Sequence, residues 1–192
     1  QLEKYIRESD GILFAKEVVE SGIPSSYLSE FEKEGKLVRV EYGVYTTPTT
    51  LEDSLYIMQK RRERIIFSHE TALYLHDLSD RDPLSYFVTV PAGYNTSRLK
   101  ADGIIVFTIK EELYEMGVTM LETSFGRPIR AYDMERTICD MVRSRNRVDR
   151  SLLTDAMQRY AQRKDRNISL LLHYANQLNV QTMVRQYLEV LL

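Results

Sequence analysis

Arg143, Arg145, Arg147 and Arg150 crowd one short segment, and Arg159, Arg163, Lys164 and Arg166 follow soon after. Guanidinium groups at that density meet phosphate oxygens through charge-assisted hydrogen bonds. The same density also suits a solvated basic surface. A second candidate lies near the start of the chain. Taking about 100° per residue, Ser26, Ser29, Glu30 and Lys33 share one stripe of a helix, and Tyr27, Leu28 and Phe31 share the opposite one, with Ser25 or Ser26 placed to cap it. Serine hydroxyls bond to phosphates or to several base edges and carry little sequence code, whereas Lys33 reaches guanine or a phosphate. Glu30 either accepts from cytosine or is solvated. Lys36, Arg39 and Tyr42 follow on a hairpin beside that helix.

Other reactive residues point away from catalysis. His69 and His76 are seven positions apart on nearly one helical face, about 10 Å of rise, too far to share one ion. Zinc proteases need the two one turn apart, so both histidines read as packing or hydrogen-bonding residues. Asp80-Arg81-Asp82 pairs two carboxylates, but no Gly-Ser dipeptide occurs and Pro83 follows, so the segment reads as a turn rather than a Mg²⁺ site. There is no Gly-rich phosphate loop and no Gly-x-Ser-x-Gly. Cys139 is the only cysteine, which excludes an intrachain disulfide and a multi-cysteine zinc site, and its apolar neighbours mark it as core. No catalytic residue, metal or cofactor is expected.

The elements that must position these residues begin with Gly11 to Pro48, which reads as two short helices, a tight turn, a third helix and a two-stranded hairpin. Phe14, Val18, Val19 and Ile23 line one side of a helix that stops at Gly22. Gly35 ends the next helix, Leu37 to Val40 alternate as a strand, and Gly43 supplies the positive φ of a tight return. That order describes a winged helix-turn-helix, which presents one helix at a width the DNA major groove accepts. Thr46 to Thr50 is a polar, proline-containing link, so the boundary falls between a first domain of residues 1–48 and a second of residues 49–192.

In the second domain a helix runs through Leu55, Ile57 and Met58 into the basic run Lys60 to Arg64, and Ser68 offers the cap of another. Tyr86 to Val90 and Ile104 to Thr108 are β-branched and aromatic, and read as neighbouring strands. Val118 to Thr123 and Ile129 to Ala131 add two more. Asp133 caps a helix with Ile138, Cys139, Met141 and Val142 inside, and everything from Arg150 onward reads as helical. The fold class is therefore α+β: a winged helix-turn-helix, then a mixed α/β domain with a small sheet and a C-terminal helical bundle.

Charge complicates the DNA reading. The net charge is −2, and residues 1–48 hold nine carboxylates against six bases. Counterion release supplies much of DNA affinity, so an acidic reader must find positive charge elsewhere. The arginines from Arg143 to Arg150 supply it. No apolar run approaches the ~20 residues needed to cross a bilayer, and a cytoplasmic protein fits this composition.

Taken together, the Gly11 to Pro48 unit, IFSHETALYLHDLSDRDP from Ile66 to Pro83, YFVTVPAGYN from Tyr86, and RPIRAYDMERTICDMVRSRNRVD from Arg127 resemble the AbiEi family of antitoxins from bacterial abortive-infection systems. The resemblance runs over nearly the whole chain, and the order of the segments makes it specific. It implies an autorepressor whose winged helix binds inverted repeats in its own promoter, and whose second domain counteracts a nucleotidyltransferase toxin of the AbiEii kind without a stable complex. It also implies DNA contacts at Ser25, Ser26, Ser29, Lys33 and Arg39, with Lys36 and Tyr42 on the wing, and at Arg143, Arg145, Arg147 and Arg150. A monomer in solution, binding DNA cooperatively, is the matching expectation. Two other readings stay open: a winged-helix module that binds the toxin directly, and a nucleotidyltransferase-like enzyme.

Overall fold

The computed structural model describes residues 1–191 and is mixed α/β, with eleven helices and two small sheets among the described residues. It divides into two compact units, Gln1 to Ile57 and Met58 onward.

In the first unit, α1 (Leu2–Glu8), β1 (Ile12–Phe14), α2 (Ala15–Glu20), α3 (Ser26–Lys33), β2 (Val38–Glu41) and β3 (Val44–Thr46) follow in order. The strands form an antiparallel sheet in the order β1-β3-β2. Leu2, Leu13, Val18, Ile23, Leu28, Leu37 and Tyr45 close its core. The expectation of two helices after Gly11 is corrected here: residues 12–14 are a strand, pairing Ile12 with Thr46 and Phe14 with Val44, and the first helix precedes Gly11. Ile12, Leu13 and Phe14 are all buried, and a short wholly apolar run carries no period that separates helix from strand. Phe14 thus leaves the helix face assigned to it, and Val19 is half exposed. Gly43 has φ +74° at the β2–β3 turn, where a side chain would be strained. The ladder slips between Arg39 and Glu41, a bulge that strengthens the hairpin's twist.

Helix α4 (Ser54–Arg61) contains the point of division. Ile57 packs with Ile12, Phe14 and Val44. Arg62 and Arg64 of the basic run that follows are paired, with Asp102 and, at 3.0 Å, with Glu111.

The second unit is built on a five-stranded sheet, order β6-β5-β4-β8-β7, from β4 (Ile66–Phe67), β5 (Phe87–Pro91), β6 (Ile105–Ile109), β7 (Val118–Glu122) and β8 (Pro128–Tyr132). Strands β5 and β6 are indeed neighbours, and they run parallel. The crossover between them carries α6 (Ser97–Ala101), as a parallel pair requires a long connection. The central β4 was not foreseen: it has two residues, and its partners β5 and β8 come later in the chain. Around the sheet lie α5 (His69–Leu75), α7 (Glu111–Tyr114), α8 (Met134–Arg143), α9 (Arg150–Gln162), α10 (Ile168–Gln177) and α11 (Gln181–Leu191). Helices α8 to α11 share one apolar core, which includes Ile138, Leu153, Met157, Leu171 and Val184.

Helix α8 is the centre of this unit, with every residue from Met134 to Val142 buried. Asp133 caps it by accepting from the Arg136 amide at 2.7 Å, and Tyr174 donates to its other oxygen at 3.0 Å. Glu135 is buried too, and accepts from the Tyr160 hydroxyl at 2.9 Å and the Asn167 amide at 2.8 Å. The Arg136 guanidinium is wholly enclosed. Its Nε donates to Asp140 at 3.1 Å, its Nη1 to the Leu113 and Met116 carbonyls at 2.8 and 2.5 Å, and its cationic carbon lies 4.1 Å from the Tyr132 ring centroid.

Gly117 makes that enclosure possible. It sits at φ +80°, and a Cβ there would lie 2.7 Å from the Arg136 Cβ. Gly126 has φ +76° with open space around it. Gly117→Ala is therefore expected to lose about 1–3 kcal/mol to backbone strain and a further amount to the clash, whereas Gly126→Ala loses the strain alone. Chemical denaturation of the two variants checks this: equal midpoints would mean that α8 does not need the close approach.

Candidate functional site

Two surfaces bring the sequence-marked residues together, one in each unit. On the first, Leu28 fixes the orientation of α3 by burial, leaving Ser26, Ser29, Glu30 and Lys33 exposed on the other side. Ser25 stands at the N-cap, but its hydroxyl makes no capping bond. Its backbone is already in the right-handed helical region there, so the oxygen is not turned toward the free amides. Among the described residues, Ser25, Ser26 and Ser29 form no side-chain hydrogen bond and Lys33 has no carboxylate partner. Lys36 is engaged, pairing with Glu34 at 2.8 Å and lying 4.8 Å from the Phe31 ring centroid; that partner raises its pKa. Arg39 lies over the Tyr42 ring at 5.3 Å, and Tyr42 is 82% exposed at the hairpin tip. Stacking holds the guanidinium in place while its N–H edge stays in solvent.

In the second unit a cavity of about 290 Å³ is lined by His69, Thr89, Phe107, Thr108, Ile109, Asp140, Arg143, Ser144, Asn146 and Arg147. The lining comes from β5, β6, the first residue of α5, the last turn of α8 and the segment joining α8 to α9. The arginine run thus divides. Arg143 and Arg147 face the cavity, Arg145 is half-buried and gives Nη1 to the Val142 carbonyl at 3.3 Å, and Arg150 is exposed in the first turn of α9. Downstream, Arg159 is paired with Asp80 and Arg163 with Asp165, so neither is a spare cation.

His69 is buried at the start of α5, in the left-handed region at φ 49°. Its ring stacks on Phe107 at 3.5 Å between centroids, and the Arg147 guanidinium lies 4.3 Å from the same centroid. A ring stacked that closely fills one face of Phe107, so Arg147 takes the other. Four hydrogen-bonding groups then run in a chain. Thr89 donates to the Ser68 hydroxyl at 2.8 Å, Ser68 lies 2.9 Å from His69 Nδ1, and His69 Nε2 lies 3.0 Å from the Ser144 hydroxyl. Ser68 is fully buried and Thr89 already donates to it, so the acceptor left for its own proton among its side-chain partners is Nδ1. The ring proton is then on Nε2 and is given to Ser144. The Ser144 proton is left over, at the wall of the cavity. Ser68 therefore fills the N-cap position of α5 without capping it, because its hydroxyl serves this chain instead.

The imidazole stays neutral. Burial, followed by the charges of Arg136, Arg147 and Arg143, pushes its pKa down to about 3. An imidazole so weakly basic, with its proton already toward Ser144, does not activate that hydroxyl as a nucleophile. Asp140 is the one carboxylate on the wall and is held by Arg136; burial raises its pKa.

The remaining sequence candidates are accounted for locally. His76 donates from Nε2 to the Tyr132 carbonyl at 2.7 Å. Arg159 binds Asp80, holding its carboxyl below the usual range, and Arg81 pairs with Asp149 at 3.2 Å. Cys139 is buried against the Leu171 carbonyl, and burial pushes its thiol pKa far up. Among the described residues no cluster of three His, Cys, Asp or Glu is placed to hold a metal, and no helix is long and apolar enough to cross a membrane. The sequence reading passed over Thr89, Phe107, Ser144 and Asn146. Ser144 and Asn146 stand between arginines of the marked run, and no local signal marks Thr89 or Phe107.

No family model and no curated protein sequence matches the chain. Among solved structures, the Rv2827c protein from Mycobacterium tuberculosis is similar, with a TM-score of 0.60 over 98% of this chain and 78% of that one. Sequence identity is 14%, so the likeness is one of fold.

The His69 environment has a pH consequence. An unfolded histidine takes up a proton near pH 6.5, while the folded one resists until about pH 3. Between those values the unfolded state binds more protons, so stability falls as the pH is lowered. His69→Gln is expected to flatten this part of the stability profile, with the raised carboxyls of Asp133 and Asp140 common to both proteins. Denaturation midpoints from pH 7 down to about 4.5 check it; parallel profiles would contradict the buried neutral imidazole.

Proposed function

We propose that this chain is a DNA-binding autorepressor of the AbiEi antitoxin kind, acting in the cytoplasm and opposing a nucleotidyltransferase toxin. The observation that carries the reading is the face of α3. Among the described residues, three serine hydroxyls and one lysine stand on or beside an exposed helix with no side-chain partner, next to a twisted hairpin that carries Arg39 on β2 and Tyr42 at its tip. Helix, strand, two helices and a hairpin, in that order, is the element order of a winged helix-turn-helix, with α3 as the helix offered to the major groove. Polar groups left unbonded on a helix surface are what base edges and phosphates require. Inverted repeats in the chain's own promoter are the proposed target, bound cooperatively by monomers. Arg150, exposed at the start of α9, and Arg145 stand as backbone contacts. Arg143 and Arg147, which point at the cavity, are better suited to another role.

The acidity of the first unit favours a second reading, in which the same face binds a basic protein partner. Glu30, Glu32 and Glu34 all lie exposed on or after α3. Titration of the intact chain onto duplex from upstream of its own gene separates the two. Lys33→Ala is expected to weaken specific binding by about 1–3 kcal/mol. Arg39→Ala should lower the salt dependence of log K by about one unit, while Lys36→Ala, whose charge is answered by Glu34, should change little. Equal binding by wild type and Lys33→Ala would remove α3 from the interface.

A further inference from the structure

We propose that the cavity in the second unit binds a small phosphate monoester. Its electrostatics ask for an anion. Three guanidinium groups, those of Arg136, Arg143 and Arg147, act on His69 at its wall, and the one carboxylate there, Asp140, is committed to Arg136. Among the described residues Arg143 has no ion pair, and Arg147 uses only the face of its guanidinium, against Phe107. The five N–H groups of each lie in the guanidinium plane and remain to be used.

The number of donors selects phosphate. Two arginine edges, the Asn146 amide and the Ser144 hydroxyl line the same space. With His69 Nε2 donating to Ser144 at the end of the chain from Thr89 through Ser68, the Ser144 proton is not used in that bond and is left for a ligand. A carboxylate has two oxygens, whereas a phosphoryl group presents three strong acceptor oxygens and up to two negative charges. His69, neutral and with its proton on Nε2, fixes Ser144 as a donor.

The shape selects a monoester. At about 290 Å³ the space lies at the lower end of pockets that enclose small ligands. A duplex offers only diesters, each continuing into the strand on both sides, which suit exposed arginines such as Arg150 rather than a concave wall. The occupant is thus a terminal phosphate on a small organic group, of the size of a sugar phosphate or a mononucleotide.

Calorimetric titration of the intact chain, in buffer free of phosphate and sulfate, tests this with ribose 5-phosphate and AMP, each beside its unphosphorylated counterpart, ribose or adenosine. At least one phosphorylated probe is expected to bind where its counterpart does not. Arg143→Gln and Arg147→Gln should each weaken it about tenfold or more, and Ser144→Ala several-fold. Arg143 is exposed, so its variant reports on binding even if loss of the Phe107 stack unfolds Arg147→Gln. Lys33→Ala should bind the probe as wild type does, which keeps this result independent of DNA recognition. Silence of both phosphorylated probes at millimolar concentration would overturn the proposal, as would unchanged affinity in folded Arg143→Gln. Displacement of the probe by a short blunt duplex lacking terminal phosphates would also overturn it, reassigning the arginines to the DNA backbone.

Discussion

A permanently charged guanidinium that cannot reach water fixes the architecture of the second unit. Arg136 lies at zero exposure, and its charge must be answered by groups the fold brings to it. Asp140 comes from the next turn of the same helix, the Leu113 and Met116 carbonyls from around α7, and the Tyr132 face from the end of β8. These contacts hold α8 against the sheet in one position, and with it the turn that ends in Arg143 and Ser144. Such a pair is weak evidence for stability in itself, since apolar replacements often do as well. Removing one partner is another matter, because an uncompensated buried charge costs about 3–5 kcal/mol. The arrangement therefore defines position: with α8 displaced, Ser144 would leave His69, and the cavity would lose its arginine wall.

Charge is organised by place rather than by total. The chain carries a net −2, yet much of its basic content is cancelled nearby: Lys36 by Glu34, Arg62 by Asp102, Arg159 by Asp80, Arg163 by Asp165. Five of the described cations left without a carboxylate partner are placed for a ligand. Lys33 and Arg39 stand on the α3 and hairpin face, Arg143 and Arg147 at the cavity, and Arg150 on open surface. Surface pairs such as these contribute little to stability, but they decide which cations are available to a ligand. On the proposed reading, an acidic first unit with one spare lysine on a helix face implies low non-specific affinity for DNA and puts the weight of recognition on hydrogen bonds from α3.

Local chemistry was legible in the sequence wherever the signal is local. The β2–β3 hairpin with Gly43 at its turn, the Asp133 cap, the apolar stripe of α8 and the adjacent strands β5 and β6 all follow from residue type and short-range spacing. Leu28 inside and Ser29 outside follow from helical period alone. Three features depend on distant residues and were not legible. Strand β1 is a strand because Val44 to Thr46 pair with it, and β4 because β5 and β8 flank it. The cavity gathers His69, Thr89, Phe107 and Ser144 from four separate segments. The arginine run was visible as a cluster, but its division into cavity-facing and outward-facing members is set by where α8 ends.

Cysteine chemistry offers the most direct test of the central claim that α3 enters duplex DNA. Cys139 is buried with its thiol pKa raised, so a thiol placed on the surface by Ser29→Cys can carry a photo-crosslinking group without competition. With duplex from upstream of the chain's own gene, irradiation is expected to link the label to bases at a defined position in each half of an inverted repeat, and excess unlabelled specific duplex should suppress it. A bound complex that gives no link, or one that links equally to unrelated duplex, would contradict the account.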